Sequence, residues 1–223
     1  MWSVNVAYDH NIPQYASNAC SHCKSAIGES LCHTKHRGCC WYFPKFTLYD
    51  IHRMTKIIDG LQSLHMIIEQ PHTVIHPYHI HALGSFQEAD YNAYMDKGEF
   101  IHQDSINDQS IFFKTCCFFK AGYGCQLPPR FRTYICSFFL CDEIIHHPSL
   151  KDKIEPYMVE RMRYVKWVEW ENNALLHLLR EKQINLKDHF HDVLQILQNL
   201  PLDTYEFPAL EPLSICNEWD KGA

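Results

Sequence analysis

The chain has 223 residues, 46% hydrophobic and 13% aromatic, with 21% charged and a formal net charge of −6. That composition excludes a disordered or fibrous chain and argues against a generic nucleic-acid binder, which would be basic. The unusual counts are 11 Cys and 16 His, both residue types that ligate soft or borderline metals.

Met1 to His10 shows neither the basic nor the apolar region of a secretory signal. No window approaches the roughly 18 apolar residues of a membrane span. The expectation is a cytoplasmic protein with reduced thiols and no membrane partner. Eleven cysteines are an odd number, which a closed disulfide framework would not use completely.

Residues 1–46 read as loop-rich and carry five cysteines. From Thr47 to Ile68, Leu48, Ile51, Met54, Ile58, Leu61 and Leu64 recur mostly at steps of three and four. This spacing predicts one helix, capped near Thr47, with Asp50 in its first turn and Pro71 beyond its end. Residues 72–115 show no clean period, although Tyr91 and Met95 fit a short helix. Residues 116–141 form a second cysteine region, with a weak strand signal at Phe131 to Phe138. From Ser149 the pattern is helical again. Pro156 suits a first turn, and Met158, Met162, Val165, Val168, Leu175, Leu176 and Leu179 form the apolar face. A last helix begins near Leu186 and Asp188, with Phe190, Val193, Leu194 and Leu197 inward, and stops at Pro201. The tail reads as irregular. The expected fold is mainly α: a small helical domain with two loop-borne cysteine clusters joined at a metal site. It spans 1–223 as a single metal-binding domain, with metal-binding regions 20–46 and 116–141 and C-terminal helices at 149–200.

The cysteine spacing carries the chemistry. Cys20-x2-Cys23 is followed after eight residues by Cys32 and after six more by the pair Cys39-Cys40. The second cluster holds Cys116-Cys117, Cys125, Cys136 and Cys141. Thiolates hold zinc or iron tightly because they are soft, anionic donors. A Cys-x2-Cys turn points two sulfurs at one ion, whereas adjacent cysteines diverge and suit different ions or one ligand and one packed thiol. Singly, each cysteine has a plain alternative as a small buried hydrophobe; nine of them in two short windows, with Cys116 set aside, do not. The candidate ligands are Cys20, Cys23, Cys32, Cys39, Cys40, Cys117, Cys125, Cys136 and Cys141. Cys116 is ambiguous, and Cys216 reads as a lone thiol. Gly122 and Gly124 allow a turn that brings Cys117 and Cys125 together. The 75 residues between Cys40 and Cys116 mean that a shared site closes only in the folded chain. Sharing is expected, because one ion then ties both regions, and metal is expected to be needed for folding.

Among the histidines, His72, His76, His79 and His81 crowd one segment, His146-His147 follow the second cluster, and His22 neighbours Cys23. His79 and His81 would share a face on an extended segment. Scattered surface histidines are the plainer account. Asp50 and Arg53 are either a functional pair beside the cluster or simply a cap and a solvated charge. The basic and aromatic segment Arg161 to Glu171 is interrupted by Glu169, which favours an amphipathic helix over nucleic-acid stacking.

The run Gly38-Cys39-Cys40-Trp41-Tyr42-Phe43-Pro44, then Thr47-Leu48-Tyr49-Asp50-Ile51, is similar to the first block of the YkgJ-like cysteine-cluster family. Cys117-Phe118-Phe119, Gly124-Cys125, and Arg132-Thr133-Tyr134-Ile135-Cys136 followed by Cys141 resemble its second block. The likeness covers roughly residues 20–141, with Thr133 where the family has Pro and Gly38 directly against Cys39. The resemblance implies a zinc- or iron-chelating domain. The cysteine region of flagellin lysine N-methylases is also similar, but no Gly-rich loop follows a strand here to cradle a nucleoside cofactor. The spacing fits neither ferredoxin nor zinc-ribbon patterns, so it leaves an iron–sulfur cluster and Zn2+ both open; the resemblance tips toward iron–sulfur. Three functions follow: a metal-binding protein of accessory role, a metal-dependent protein-modifying enzyme such as a lysine N-methylase-like protein, or a zinc-stapled interaction domain with a protein partner.

Overall fold

The structure, a computed structural model, describes residues 2–9, 12–17, 25–34, 37–98, 106–150, 153–211 and 213–215. Helix α1 (Leu48–Thr55) starts where the sequence places its cap. The Thr47 hydroxyl accepts from the Asp50 N–H at 3.2 Å, and the Asp50 carboxylate accepts from the Thr47 N–H at 2.9 Å. This is a capping box with Asp as its acidic member. The expected single helix to Ile68 is in fact two, because the chain breaks at Ile57, which is extended, before α2 (Ile58–Ile68). The cause is a close approach: a Cβ on Gly60 would lie 2.2 Å from the Met54 carbonyl oxygen. Only glycine lets α2 fold back this tightly on the end of α1.

Two further helices pack on α1. The long α6 (Glu155–Glu181) begins with Pro156 in its first turn. The shorter α7 (Phe190–Asn199) buries Val193 and Leu197, as the periodicity predicts. Together they cover Leu48, Ile51 and Met54, each 0% exposed. Burial of each such side chain is worth roughly 1.5–3 kcal/mol. The inward face of α6 is the expected one at Val168, Leu175 and Leu179, with Met158 and Leu176 also packed on the core, but it differs in the first half of the helix. Tyr157, Glu160, Tyr164, Val168, Leu175 and Leu179 are buried, and Met162 is exposed. The tail explains the rotation: the Tyr157 hydroxyl donates to the Glu211 carbonyl at 2.7 Å, and the Tyr205 hydroxyl donates to the Glu160 carboxylate. Polar-tipped side chains therefore win the inward positions.

The expectation of a mainly helical chain needs correction, because strands frame the helices. An N-terminal hairpin of β1 (Trp2–Asp9) and β2 (Ile12–Ser17) is extended antiparallel by β10 (Leu213–Ile215), which comes from the tail read as irregular. A second antiparallel sheet has the order β3 (Lys45–Thr47), β5 (His79–Ala82), β4 (Thr73–His76). Its inward positions are Phe46, Ile80 and Ala82, all 0% exposed. The histidines that alternate with them hid this two-residue period in the sequence. Short β6 (Ser85–Phe86) pairs with β7 (Lys114–Thr115), and α3 (Glu88–Lys97) lies between them in the chain. Phe112 and Phe113 form a smaller core there with Ile106 and Ile111. The fold is thus a mixed helix-and-strand domain.

Candidate functional site

The second cysteine region folds as a series of small turns. A hairpin of β8 (Phe119–Lys120) and β9 (Gly124–Cys125) reverses through Gly122 and Gly124, whose φ values are +80° and +82°. That is the turn expected between Cys117 and Cys125, and it needs glycine. Pro128 and Pro129 then redirect the chain into a single 3-10 turn (Pro129–Phe131) and the short α4 (Tyr134–Ser137), which carries Cys136. The strand signal at Phe131 to Phe138 is therefore helical turn. Fixed proline φ and the extended Thr133 before α4 override the β propensity of the phenylalanines. Cys141 heads the next short helix, α5 (Asp142–Ile145).

These turns meet the first cysteine region directly. The Cys116 N–H donates to the Cys40 carbonyl at 2.8 Å. Cys40, Cys116, Cys125 and Cys136 form a foursome in which every pair of thiols is in electrostatic contact. Burial and the thiols of Cys116 and Cys125 push Cys40 up to about 11. Burial, with the same neighbours and Cys40, pushes Cys136 up as well, although that residue keeps solvent contact on one side. Cys117 joins them through Cys116 and Cys125. The Cys116 thiol donates to Cys117, which lowers Cys117 and raises Cys116. Cys116, ambiguous in the sequence, is thus central.

Main-chain donors aim at several of these sulfurs. The N–H two residues downstream bonds to the sulfur at Cys32 (Thr34), Cys116 (Phe118) and Cys125 (Leu127). Such N–H···S bonds favour a thiolate over a thiol. At Cys32 burial opposes ionisation, but bonds with Ser30 at 2.9 Å and Thr115 at 3.6 Å outweigh it and lower the thiol.

Two arginines supply positive charge. Arg37, 1% exposed, donates to the carbonyls of Gly38 and Ile111 at 2.6 Å each and faces Cys32, Cys39 and Cys40. Arg132 donates to the Leu127 carbonyl at 3.0 Å and faces Cys40 and Cys125. Arg37 is absent from the sequence reading; a basic residue just before Gly38-Cys39-Cys40 was the available signal.

Asp50 and Arg53 settle between the two earlier readings. They form a buried ion pair at 3.0 Å, 2% and 8% exposed as whole residues. Arg53 also donates to the carbonyls of Arg130 at 3.1 Å and Arg132 at 3.3 Å. The pair therefore caps α1 and pins the turn that leads into Cys136.

Of the other candidates, Cys39 lies exposed beside Arg37 and Cys141 is half-buried at its helix start. Cys20, Cys23, His22 and Cys216 lie outside the described residues. His76 stacks on His79 with ring centroids 4.3 Å apart and stands 6.5 Å from His81, so these three do share a sheet face. Among the described residues no three Cys, His, Asp or Glu side chains stand, as placed, in a set that could hold a metal ion. Nor is any described helix long and apolar enough to cross a membrane. Compared with protein-family models, curated proteins and solved structures, the chain matches none.

Proposed function

We propose that this chain is a metal-binding cysteine-cluster protein whose ligands come from both cysteine regions. The observation that carries the reading is the foursome of Cys40, Cys116, Cys125 and Cys136, mutually in electrostatic contact, with Cys40 and Cys116 joined at the backbone. Four soft donors suit either a tetrahedral zinc or an iron–sulfur cluster. The donor chemistry of the site fits such a group. The Cys117 contact and burial raise the Cys116 thiol and burial raises the Cys125 thiol, so a metal ion would have to displace their protons; main-chain N–H groups at both sulfurs, and Arg37 and Arg132 beside several of the thiols, work in its favour. Cys117 and Cys39 stand next in line as ligands, and Cys20, Cys23, Cys32 and Cys141 complete the candidate set.

Because the sulfurs do not stand in a coordinating set as placed, an ion would have to draw them together. The four sit on turns and on helices or strands of two to four residues, which can yield at small cost. Binding would then be coupled to ordering of both regions. The resemblance to the YkgJ-like family points the same way. An accessory role, in a reducing cytoplasmic compartment, goes with this reading. So does recognition of a protein rather than a nucleic acid, given the net charge of −6.

Anaerobic purification followed by metal analysis and an absorption spectrum tests it. Stoichiometric zinc without colour, or iron with visible sulfur-to-iron absorption, supports the reading and tells the two metals apart. Protein that contains neither, and takes up neither on reconstitution, overturns it.

A further inference from the structure

The turn that carries Arg132 toward the thiols also lends Arg130 and Phe131 to a cleft of about 510 Å3. Its other walls come from Pro13 of β2, α1 with Lys56 and Ile57 just beyond it, α6, and the tail between residues 202 and 207. That volume lies in the range of small-molecule pockets. We propose that this cleft binds a small aromatic carboxylate. The proposal does not depend on the metal reading.

The aromatic half of the argument rests on the walls. Tyr49, Tyr164, Tyr205, Phe131 and Phe207 all line the cleft. Several rings are locked in place. Tyr205 meets Tyr164 edge-on at 5.2 Å, and Phe207 stacks on Phe138 at 5.7 Å. The tail is held down by the bonds of Tyr205 to Glu160 and of Tyr157 to the Glu211 carbonyl. A wall of fixed rings offers faces and edges to another flat ring.

The anionic half rests on the donors. Arg53, Lys56 and Arg130 line the cleft against one carboxylate, Glu206. Lys56 is tied to the carbonyls of Leu197, Gln198 and Leu200. The carboxylates that pair with Arg53 and Arg130, Asp50 and Asp59, are not part of the lining. Arg53 is 8% exposed, and its Nε is buried without a partner although its other nitrogens are bonded. Two guanidinium groups and one ammonium in a mainly aromatic and apolar wall favour an anionic ligand over a neutral one. A planar carboxylate is the acceptor that guanidinium groups match best.

Calorimetric titration of the protein as isolated compares 2-naphthoate with 2-naphthalenemethanol, which has the same ring system and no charge. Naphthoate should bind one to one and at least about tenfold tighter than the alcohol, the difference expected of a charge-assisted contact. Thr204→Trp places an indole at an exposed lining position and should abolish binding with the melting temperature unchanged. Glu206→Gln, also at an exposed position, removes the one opposing charge and should tighten naphthoate about two- to fivefold. No naphthoate binding at millimolar concentration, equal affinity for the alcohol, or unchanged binding by both variants would overturn the proposal.

Discussion

The main-chain N–H of Cys116 donates to the carbonyl of Cys40 at 2.8 Å. Two segments separated by 75 residues are thereby fixed side by side, and their thiols are brought into each other's field. A closed loop of that length is costly to form without a tie. The backbone bond is one tie, and a shared ion would be another.

Substitution of the central cysteines should separate ligands from bystanders. Cys125→Ser and Cys136→Ser should each lower metal affinity about tenfold or more, because a hydroxyl is a harder and less acidic donor. Cys216→Ser should leave metal content unchanged. Metal analysis after dialysis checks this, and equal loss from all three variants would remove the distinction.

The Asp50–Arg53 pair should matter for stability. Asp50→Ala leaves a buried guanidinium unpaired and removes the carboxylate half of the α1 capping box, while the Thr47 hydroxyl keeps its bond to the main-chain N–H; the loss should be about 3 kcal/mol or more. Urea unfolding reads the loss directly. A cost under about 1 kcal/mol would mean that the pair behaves like a solvated one.

Gly60→Ala should destabilise the protein, against the usual rule. In an ordinary helix interior, alanine is favoured over glycine by about 1 kcal/mol. Here the new methyl would meet the Met54 carbonyl at 2.2 Å, and a net loss of about 2 kcal/mol is expected from forced backbone shifts. A rise in melting temperature would show that α1 and α2 can separate freely.

Stability should fall on the acid side of neutrality. Burial, with Lys56 nearby, pushes the His52 imidazole below its ordinary value, while Asp203 and the Leu197 and Leu200 carbonyls oppose the shift. His79 and His81 are also lowered, first by burial and then by their positive neighbours. A histidine whose folded value is depressed favours folding while neutral. Its contribution is complete above the unfolded value near 6.5 and is lost as pH falls through the folded value. His52→Gln should flatten part of this slope in melting temperature between about pH 7 and 5, and an unchanged slope would exclude His52.

The sequence was most legible where one local signal acts alone. Thr47 and Asp50 mark the start of α1, Pro156 marks the start of α6, and Gly122 with Gly124 marks the hairpin between Cys117 and Cys125. It was least legible where a partner far along the chain decides. The break at Ile57 depends on Gly60 touching Met54. The inward turn of Tyr157 and Glu160 depends on the tail. Strand β10 exists only because β1 lies beside it. The two cysteine regions could be named from spacing, but the central place of Cys116 and the arginines that face the thiols required the fold.

X-ray absorption at the metal edge, on wild type, Cys40→Ser and Cys125→Ser, tests the shared site most directly. Metal–sulfur scattering should appear near about 2.3 Å if the ion is zinc. Each substitution should remove sulfur from the same coordination shell or empty the site. If Cys40→Ser leaves the metal held through Cys125 with an unaltered shell, the two regions bind separately and the account is contradicted.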